Sequence, residues 1–390
     1  MTMFETSTAG RFAQRIGMTV FDLTVLSIMI ILVGMIGITA ILSGDQDNEW
    51  VIYLQMDERY LYELWMSTPD GSDKRAITDT DTGVWEFDVS SDGRYIVYTR
   101  RNFTTGGHEL YILDLTNGES SQITSCEAQD ADCYAPKFQP HGDLIAYERA
   151  ALNSNSPIGP GAPRIWILDL SASTTSPLID DNNSSVLGTG AVWSGNGEFI
   201  AFYDNSGGNI IVYKLSDGSL RLIGTQMGLV GALSPDGLHL VYPSLSINRG
   251  VLRLFNTDTN LIREITNPAE EADEQSASWS QDGRYIAIGR RPGTMRGTQL
   301  YLYDMETFNN TPLLIDSNYN HSSFTWNNDG TKLVMTRFRQ VLENGQPNSQ
   351  GTLETWVYDR ITHQLTPISE EGLFTLNPRW ITPPRRFVSQ

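Results

Sequence analysis

Ser234-Pro235-Asp236-Gly237-Leu238-His239-Leu240-Val241-Tyr242 is one of six related strings in the chain, and its recurrence decides the fold. The others are SSDGRYIVY (Ser90 to Tyr98), QPHGDLIAY (Gln139 to Tyr147), SGNGEFIAF (Ser194 to Phe202), SQDGRYIAI (Ser280 to Ile288) and NNDGTKLVM (Asn327 to Met335). The turn glycines Gly93, Gly142, Gly197, Gly237, Gly283 and Gly330 stand about 40 to 55 residues apart, the period of a four-stranded propeller blade. Helical solenoids of similar period need 3.6-residue patterning, which is missing. Asp-Gly or Asn-Gly suits a two-residue hairpin turn, and the apolar run after it reads as a buried strand, so the string joins a strand A to a strand B. Four residues before each glycine stands Val89, Phe138, Trp193, Leu233, Trp279 or Trp326, an apolar group placed to wedge between neighbouring sheets.

Downstream of each copy lies a second apolar segment, read as strand C: LYILDL (Leu110 to Leu115), IWILDL (Ile165 to Leu170), IIVYKL (Ile210 to Leu215), LRLFNT (Leu252 to Thr257), LYLYDM (Leu300 to Met305) and TWVYDR (Thr355 to Arg360). A polar turn then leads to a short strand D ending in pairs such as Ile123-Thr124 or Ile265-Thr266. Six blades are complete in themselves. After residue 49, Trp50 to Leu54, Tyr62 to Ser67 and Arg75 to Thr78 read as strands B, C and D lacking an A, whereas Asn377 to Ile381 reads as an A lacking the rest. Joined, they make a seventh blade from both termini and close the ring without an open edge. The expected fold is all-β: a seven-bladed β-propeller of four-stranded antiparallel blades over residues 50–384, with six blades as the fallback, preceded by one transmembrane helix.

These repeats resemble the TolB-like family of WD-like β-propellers, whose blades read S-P-D-G-x-x-hydrophobic-A-F/Y, then an I-Y/W-hydrophobic-x-D strand and a short L-T strand. Ser234-Pro235-Asp236-Gly237 matches the core motif outright, and the resemblance extends from Trp50 to Pro384. It implies a binding scaffold, as in periplasmic TolB-like proteins, or an entry and specificity domain, as in some peptidases. The chain departs from both patterns: an apolar segment stands where TolB has an α/β domain, and no α/β-hydrolase region follows the repeats.

That apolar segment, Val25 to Leu42, carries no charge and is long enough to span a bilayer. It lacks the small-x-small cleavage site of a secretory signal. Arg11 and Arg15 precede it and Asp45, Asp47 and Glu49 follow, which places the N-terminus in the cytoplasm and the repeats outside. The expected organisation is a cytoplasmic tail 1–18, a membrane helix 19–43 contacting lipid, a linker 44–49, the propeller, and a tail 385–390. The formal charge of −19 falls on the exported part, so nucleic acid would be repelled.

No G-x-S-x-G elbow exists, and the five histidines are dispersed, with His141, His239 and His363 assigned to turns at one end of the ring and His108 and His321 to loops at the other. No H-x-H or H-E-x-x-H pair begins a metal site. The Asp box of sialidases, S-x-D-x-G, differs from the S-x-D-G seen here, and the histidine cluster of oligogalacturonate lyases has no counterpart. Calcium is the one cofactor to weigh, because Asp79-Thr80-Asp81 and Asp180-Asp181-Asn182-Asn183 gather hard oxygen ligands, without a complete calcium loop.

The D–A and B–C connections emerge at one end of the ring, and the D–A loops are acidic: Asp79, Asp81, Glu127, Asp130, Asp132, Asp180, Asp181, Glu270, Glu271, Asp273, Glu274, Asp316, Glu370 and Glu371. Seven residues after the turn glycine, four repeats place an arginine on the same face: Arg100, Arg149, Arg290 and Arg337. Two readings follow. Either the arginines pair with the acidic loops and seal neighbouring blades, or they form an inner ring that recognises an anionic group of a partner. Cys126 and Cys133 lie in one D–A loop of the exported part and are expected to form a disulfide. The B–C loops Ala150 to Pro163 and Phe338 to Leu353 read as surface insertions.

The functional expectation is a membrane-anchored, extracytoplasmic, noncatalytic scaffold that binds a protein or peptide, such as a component of the cell envelope. The alternative is a membrane-tethered carbohydrate-active enzyme, a lyase or glycosidase, acting on an acidic glycan.

Overall fold

The computed structural model describes residues 48–385 apart from 156–159, 181–185, 247–248, 267–270, 294, 344–345 and 349–351. The expected tail 1–18, span 19–43, most of the linker and residues 386–390 lie outside the described residues. Among the described residues no helix is long and apolar enough to cross a membrane.

Seven four-stranded antiparallel sheets form the fold. In blade 1 strand A is Thr375–Ile381, paired with strand B, Trp50–Met56, then C, Tyr62–Ser67, and D, Lys74–Ala76. Both ends of the repeat region therefore meet in one sheet, as the unpaired segments required. Strand A of every blade touches strand A of both neighbours, including Thr375–Ile381 against Phe87–Val89 on one side and Tyr319–Trp326 on the other. The ring is closed, and it has seven blades rather than six. Its core is divided into clusters between successive sheets, such as Ile52, Leu54 and Leu64 of blade 1 with Ile96, Tyr98 and Leu113 of blade 2.

The A–B turn differs from the two-residue hairpin expected. In blade 2 the Ser90 amide donates to the Tyr95 carbonyl at 2.9 Å, so that residues 91–94 make the connection. Ser90 Oγ donates to Asp92 Oδ1 at 2.6 Å and accepts from the Tyr95 amide at 2.8 Å, while Asp92 Oδ1 also accepts from the Arg94 amide at 3.0 Å. The serine and aspartate of S-x-D-G thus satisfy amides that a longer turn would leave bare. Only the glycine is left-handed: Gly93 has φ 69°, and a Cβ there would stand 1.9 Å from the Thr382 carbonyl oxygen of blade 1. In blade 3 His141 takes that conformation instead, at φ 60°.

The apolar residue closing strand A does more than wedge. Trp193 Nε1 donates to the Lys137 carbonyl at 3.1 Å, Trp279 to Ala232 at 3.0 Å, Trp326 to Ser278 at 3.1 Å and Trp380 to Thr325 at 3.1 Å. Each indole clips its blade to strand A of the preceding one, pairing its polar edge while its rings are covered. Within the Phe338 to Leu353 insertion, Val341–Glu343 and Gln346–Asn348 form a hairpin rather than a plain loop.

Candidate functional site

The strand-B arginines recur because they stack on strand C. The guanidinium of Arg100 lies 4.9 Å from the Tyr111 ring centroid, Arg149 4.3 Å from Trp166, Arg290 4.9 Å from Tyr301 and Arg337 4.8 Å from Trp356. Each cation covers an aromatic face on the adjacent strand, a diagonal cross-strand pair that also buries the arginine stem. Across strand A the same layer places Cys133 opposite Arg149, Glu274 opposite Arg290 and His321 opposite Arg337.

These contacts place the four guanidinium groups on the blades' own aromatics. Arg290 is only 7% exposed and Arg337 2%. Arg337 donates to Asp316 at 2.7 Å, Arg290 Nε stands 3.8 Å from Glu274 Oε1, and Arg149 donates to Gln129 Oε1 at 2.6 Å. Arg290 and Arg337 thus each meet a carboxylate, as the sealing reading requires, whereas Arg100 and Arg149, half-buried, meet an aromatic ring and, for Arg149, a glutamine. His321, expected in a surface loop, sits buried in strand A, and burial followed by the charge of Arg337 draws its imidazole down to about 4. Glu274 is fully buried, accepts from the Thr266 hydroxyl at the end of the preceding blade, and is pushed up to about 7 by desolvation.

Most acidic loop residues likewise have structural partners. Two buried glutamates of strand C receive these loops: Glu63 accepts from Thr78 Oγ1 at 2.6 Å and from the Thr80 amide at 2.8 Å, and Glu109 does the same with Thr124 Oγ1 and the Glu127 amide. Asp132 accepts from the His108 amide at 2.7 Å, with His108 Nδ1 2.9 Å away, and Asp273 pairs with Arg291. The threonine of the Ile-Thr pairs is therefore a fastener between strand D and a buried carboxylate. Asp79 accepts from Arg59 at 2.8 Å. Among the described residues no three His, Cys, Asp or Glu side chains gather as metal ligands, while Asp181, Asn182 and Asn183 lie outside those residues. Cys126 and Cys133 form the expected disulfide, their Cα atoms 6.1 Å apart.

Two features escaped sequence reasoning. One is the channel lining: strand A is bulged in blades 1, 3, 4, 6 and 7, a shift visible in the register but carried by no shared residue type. In blades 3 and 4 the opened backbone receives a carboxylate from the blade before, the Ala135 amide donating to Glu86 at 2.6 Å and the Gly190 amide to Glu148 at 2.7 Å. Burial raises Glu148 to about 7 and pulls the nearby Lys137 ammonium below its usual range. Asp88, Lys137 and Arg379 line a cavity of about 460 Å³ at the A–B end of the channel. The other feature is a set of aromatic side chains on the D–A and B–C end, Tyr60, Trp85 and Phe103, which are 83%, 47% and 60% exposed. Their signal was an aromatic residue standing in a polar loop.

A model of the TolB β-propeller domain matches residues 49–268. The chain belongs to the TolB β-propeller family. The chain is also similar to the Tol-Pal system protein TolB of Francisella tularensis subsp. mediasiatica, 34% identical over 87 residues, which are 22% of this chain and 19% of that protein. The match thus spans about a fifth of the curated relative's length. Among solved structures, TolB from Acinetobacter baumannii covers 89% of this chain and is 70% covered itself, with 17% identity and a TM-score of 0.51. A puromycin-hydrolysing peptidase of Mycobacterium tuberculosis gives 12% identity and a TM-score of 0.63, over 83% of this chain and 52% of that one. An oligogalacturonate lyase in complex with manganese gives 13% and 0.55, over 82% and 84%. At these identities the likeness is one of fold.

Proposed function

We propose that the TolB-like propeller is a noncatalytic scaffold that binds a protein or peptide of the cell envelope through its D–A and B–C loop end. Residues 19–43 would anchor it as a single-pass protein, with the N-terminus cytoplasmic and the propeller outside. The observation that carries the reading is the way this end is built. Several of its carboxylates tie the D–A loops to the strands beside them, Glu63 to the Thr80 amide, Glu109 to the Glu127 amide and Asp316 to Arg337, and aromatic tips stand exposed on that frame. Rigid loops lose little entropy on binding, and a few anchor residues, with Trp and Tyr enriched among them, carry most interface energy.

The alternative, a tethered lyase or glycosidase for acidic glycans, draws on the fold likeness to the manganese-bound lyase. Chemical crosslinking in intact membranes, followed by identification of what is attached to the propeller, tests the choice. The scaffold reading predicts a discrete protein adduct. A propeller that yields none, and whose purified chain degrades an acidic oligosaccharide until a chelator is added, contradicts it.

A further inference from the structure

Tyr60 stands at the tip of the B–C loop of blade 1 with a left-handed φ of 64°, a conformation a tyrosine adopts at a cost. The loop holds it there: the Asp57 amide donates to the Leu61 carbonyl at 2.8 Å, and Asp57 Oδ1 accepts from the Arg59 amide at 2.8 Å and the Leu61 amide at 3.0 Å. The corresponding loop of blade 2 presents Phe103 and is tied by its own set of hydrogen bonds. There the Asn102 amide donates to Gly107 O at 2.8 Å, Asn102 Oδ1 accepts from the Thr104 amide at 2.9 Å, and Thr105 Oγ1 donates to Glu127 at 2.6 Å. Trp85 lies on the backbone between these loops, since the Val84 amide donates to Tyr62 O at 2.6 Å and the Trp85 amide to Thr99 O at 3.1 Å. Two neighbouring blades thus hold three large apolar rings in water on constrained backbone, where unconstrained loops would fold them away.

The charge around the rings is net negative. Segments 57–61, 79–85, 101–107 and 127–132 contain two, two, none and three carboxylates, seven in all, against the two guanidinium groups of Arg59 and Arg101. Arg59 is held by Asp57 and Asp79, at 2.6 and 2.8 Å, and Arg101 lies over the Trp85 ring. An anionic bilayer, a nucleic acid or an acidic peptide would be repelled here, whereas lysine and arginine side chains find both carboxylates and aromatic faces.

Resting on the scaffold reading above, we propose that this sector of blades 1 and 2 docks a basic segment of a partner protein, with apolar side chains between its cations, and that Tyr60, Trp85 and Phe103 are the anchors. The probe is a labelled peptide of Lys, Ser and Leu, titrated by fluorescence anisotropy against the full chain in nanodiscs of neutral lipid, with empty nanodiscs as the blank. The unmodified chain binds it. Tyr60→Ser with Phe103→Ser, both exposed and therefore expected to leave the melting curve unchanged, weakens binding at least about tenfold, the usual effect of losing interface anchors. Leu261→Ser with Phe308→Ser, in C–D turns at the other end of the ring, leaves binding as it was. Equal binding by the Tyr60/Phe103 variant, equal binding of a matched Glu-Ser-Leu peptide, preference for anionic vesicles, or no binding overturns the proposal. If the peptide is ignored while a protein adduct still forms on the propeller in membranes, the scaffold survives and the basic-segment chemistry falls. If neither occurs, both fall.

Discussion

The guanidinium of Arg337 is sandwiched between Tyr319 and Trp356, 3.8 and 4.8 Å from their ring centroids, and donates to Asp316 at 2.7 Å. A cation so placed is part of the blade. Arg337→Glu would bury a carboxylate beside the partly exposed Asp316, and the loss should be about 3 to 5 kcal/mol, enough to unfold a marginal domain. Arg100→Ala, removing a more exposed cation stacked on Tyr111, should cost about 1 kcal/mol or less. Denaturant unfolding of the two variants checks the contrast; similar small losses would mean that Arg337 is free.

The indole clips give a second contrast. Trp326→Phe keeps most of the buried ring but removes the donor to the Ser278 carbonyl, which should cost about 1 to 2 kcal/mol. Phe138 has no such donor, so Phe138→Leu should show only the packing loss, about 1 kcal/mol. Unfolding midpoints at constant m-value measure both.

Glu148 and Glu274 make stability depend on pH in an unusual direction. Both are raised to about 7 in the folded chain, by burial first, whereas the unfolded carboxyls titrate at about 4.3. Between these values the folded state holds more protons than the unfolded state, so stability falls as pH rises from 5 to about 7. Asp70 and Asp114, lowered to about 2 by hydrogen bonds led by those from the Thr68 hydroxyl and Arg94, contribute stability that is present above about pH 4 and lost as pH falls towards 2. His321, drawn down to about 4, works the other way, adding stability as pH rises from about 4 to 6.5. The fall above pH 5 is the net of two carboxyls against one imidazole, so thermal melts from pH 3 to 8 should peak near pH 5 with a shallow alkaline side. Glu148→Gln with Glu274→Gln should flatten the alkaline side of that peak and leave the acid side unchanged.

The Cys126–Cys133 disulfide closes a short loop beside strand A of blade 3. In the chain-entropy model its removal costs about 2.5 kcal/mol. Cys126→Ala with Cys133→Ala should lower the melting temperature by several degrees, and alkylation of the unreduced chain should label neither thiol. Full labelling without a reductant would refute the bond.

The blades were legible because the turn repeats its chemistry: a serine, an aspartate and a glycine at fixed offsets fix the A–B connection, and a buried apolar strand follows. Even the split blade could be read, since Trp380 carries the same signal as Trp193 and Trp326. The turn length was misread because Asp-Gly alone does not reveal that Ser90 Oγ supplies the extra pairing. The arginines were located correctly, but whether they face water depends on strand C, where Tyr111, Trp166, Tyr301 and Trp356 stand diagonally opposite, a relation that needs the register. His321 was misplaced for a similar reason: strand A is longer in blade 7, at Tyr319–Trp326, than in blade 2, at Phe87–Val89. Tyr60 and Phe103 each stand as an aromatic in a polar loop, but that signal does not tell whether the ring is exposed, which is set by the loop hydrogen bonds.

Photo-crosslinking at single positions in intact membranes tests the central claim most directly. A photoreactive amino acid at Tyr60 or Phe103 should yield a protein adduct, and the same group at Leu261 or Phe308, at the opposite end of the ring, should yield none. Adducts confined to Leu261 and Phe308, or none at any of the four positions, would contradict the account.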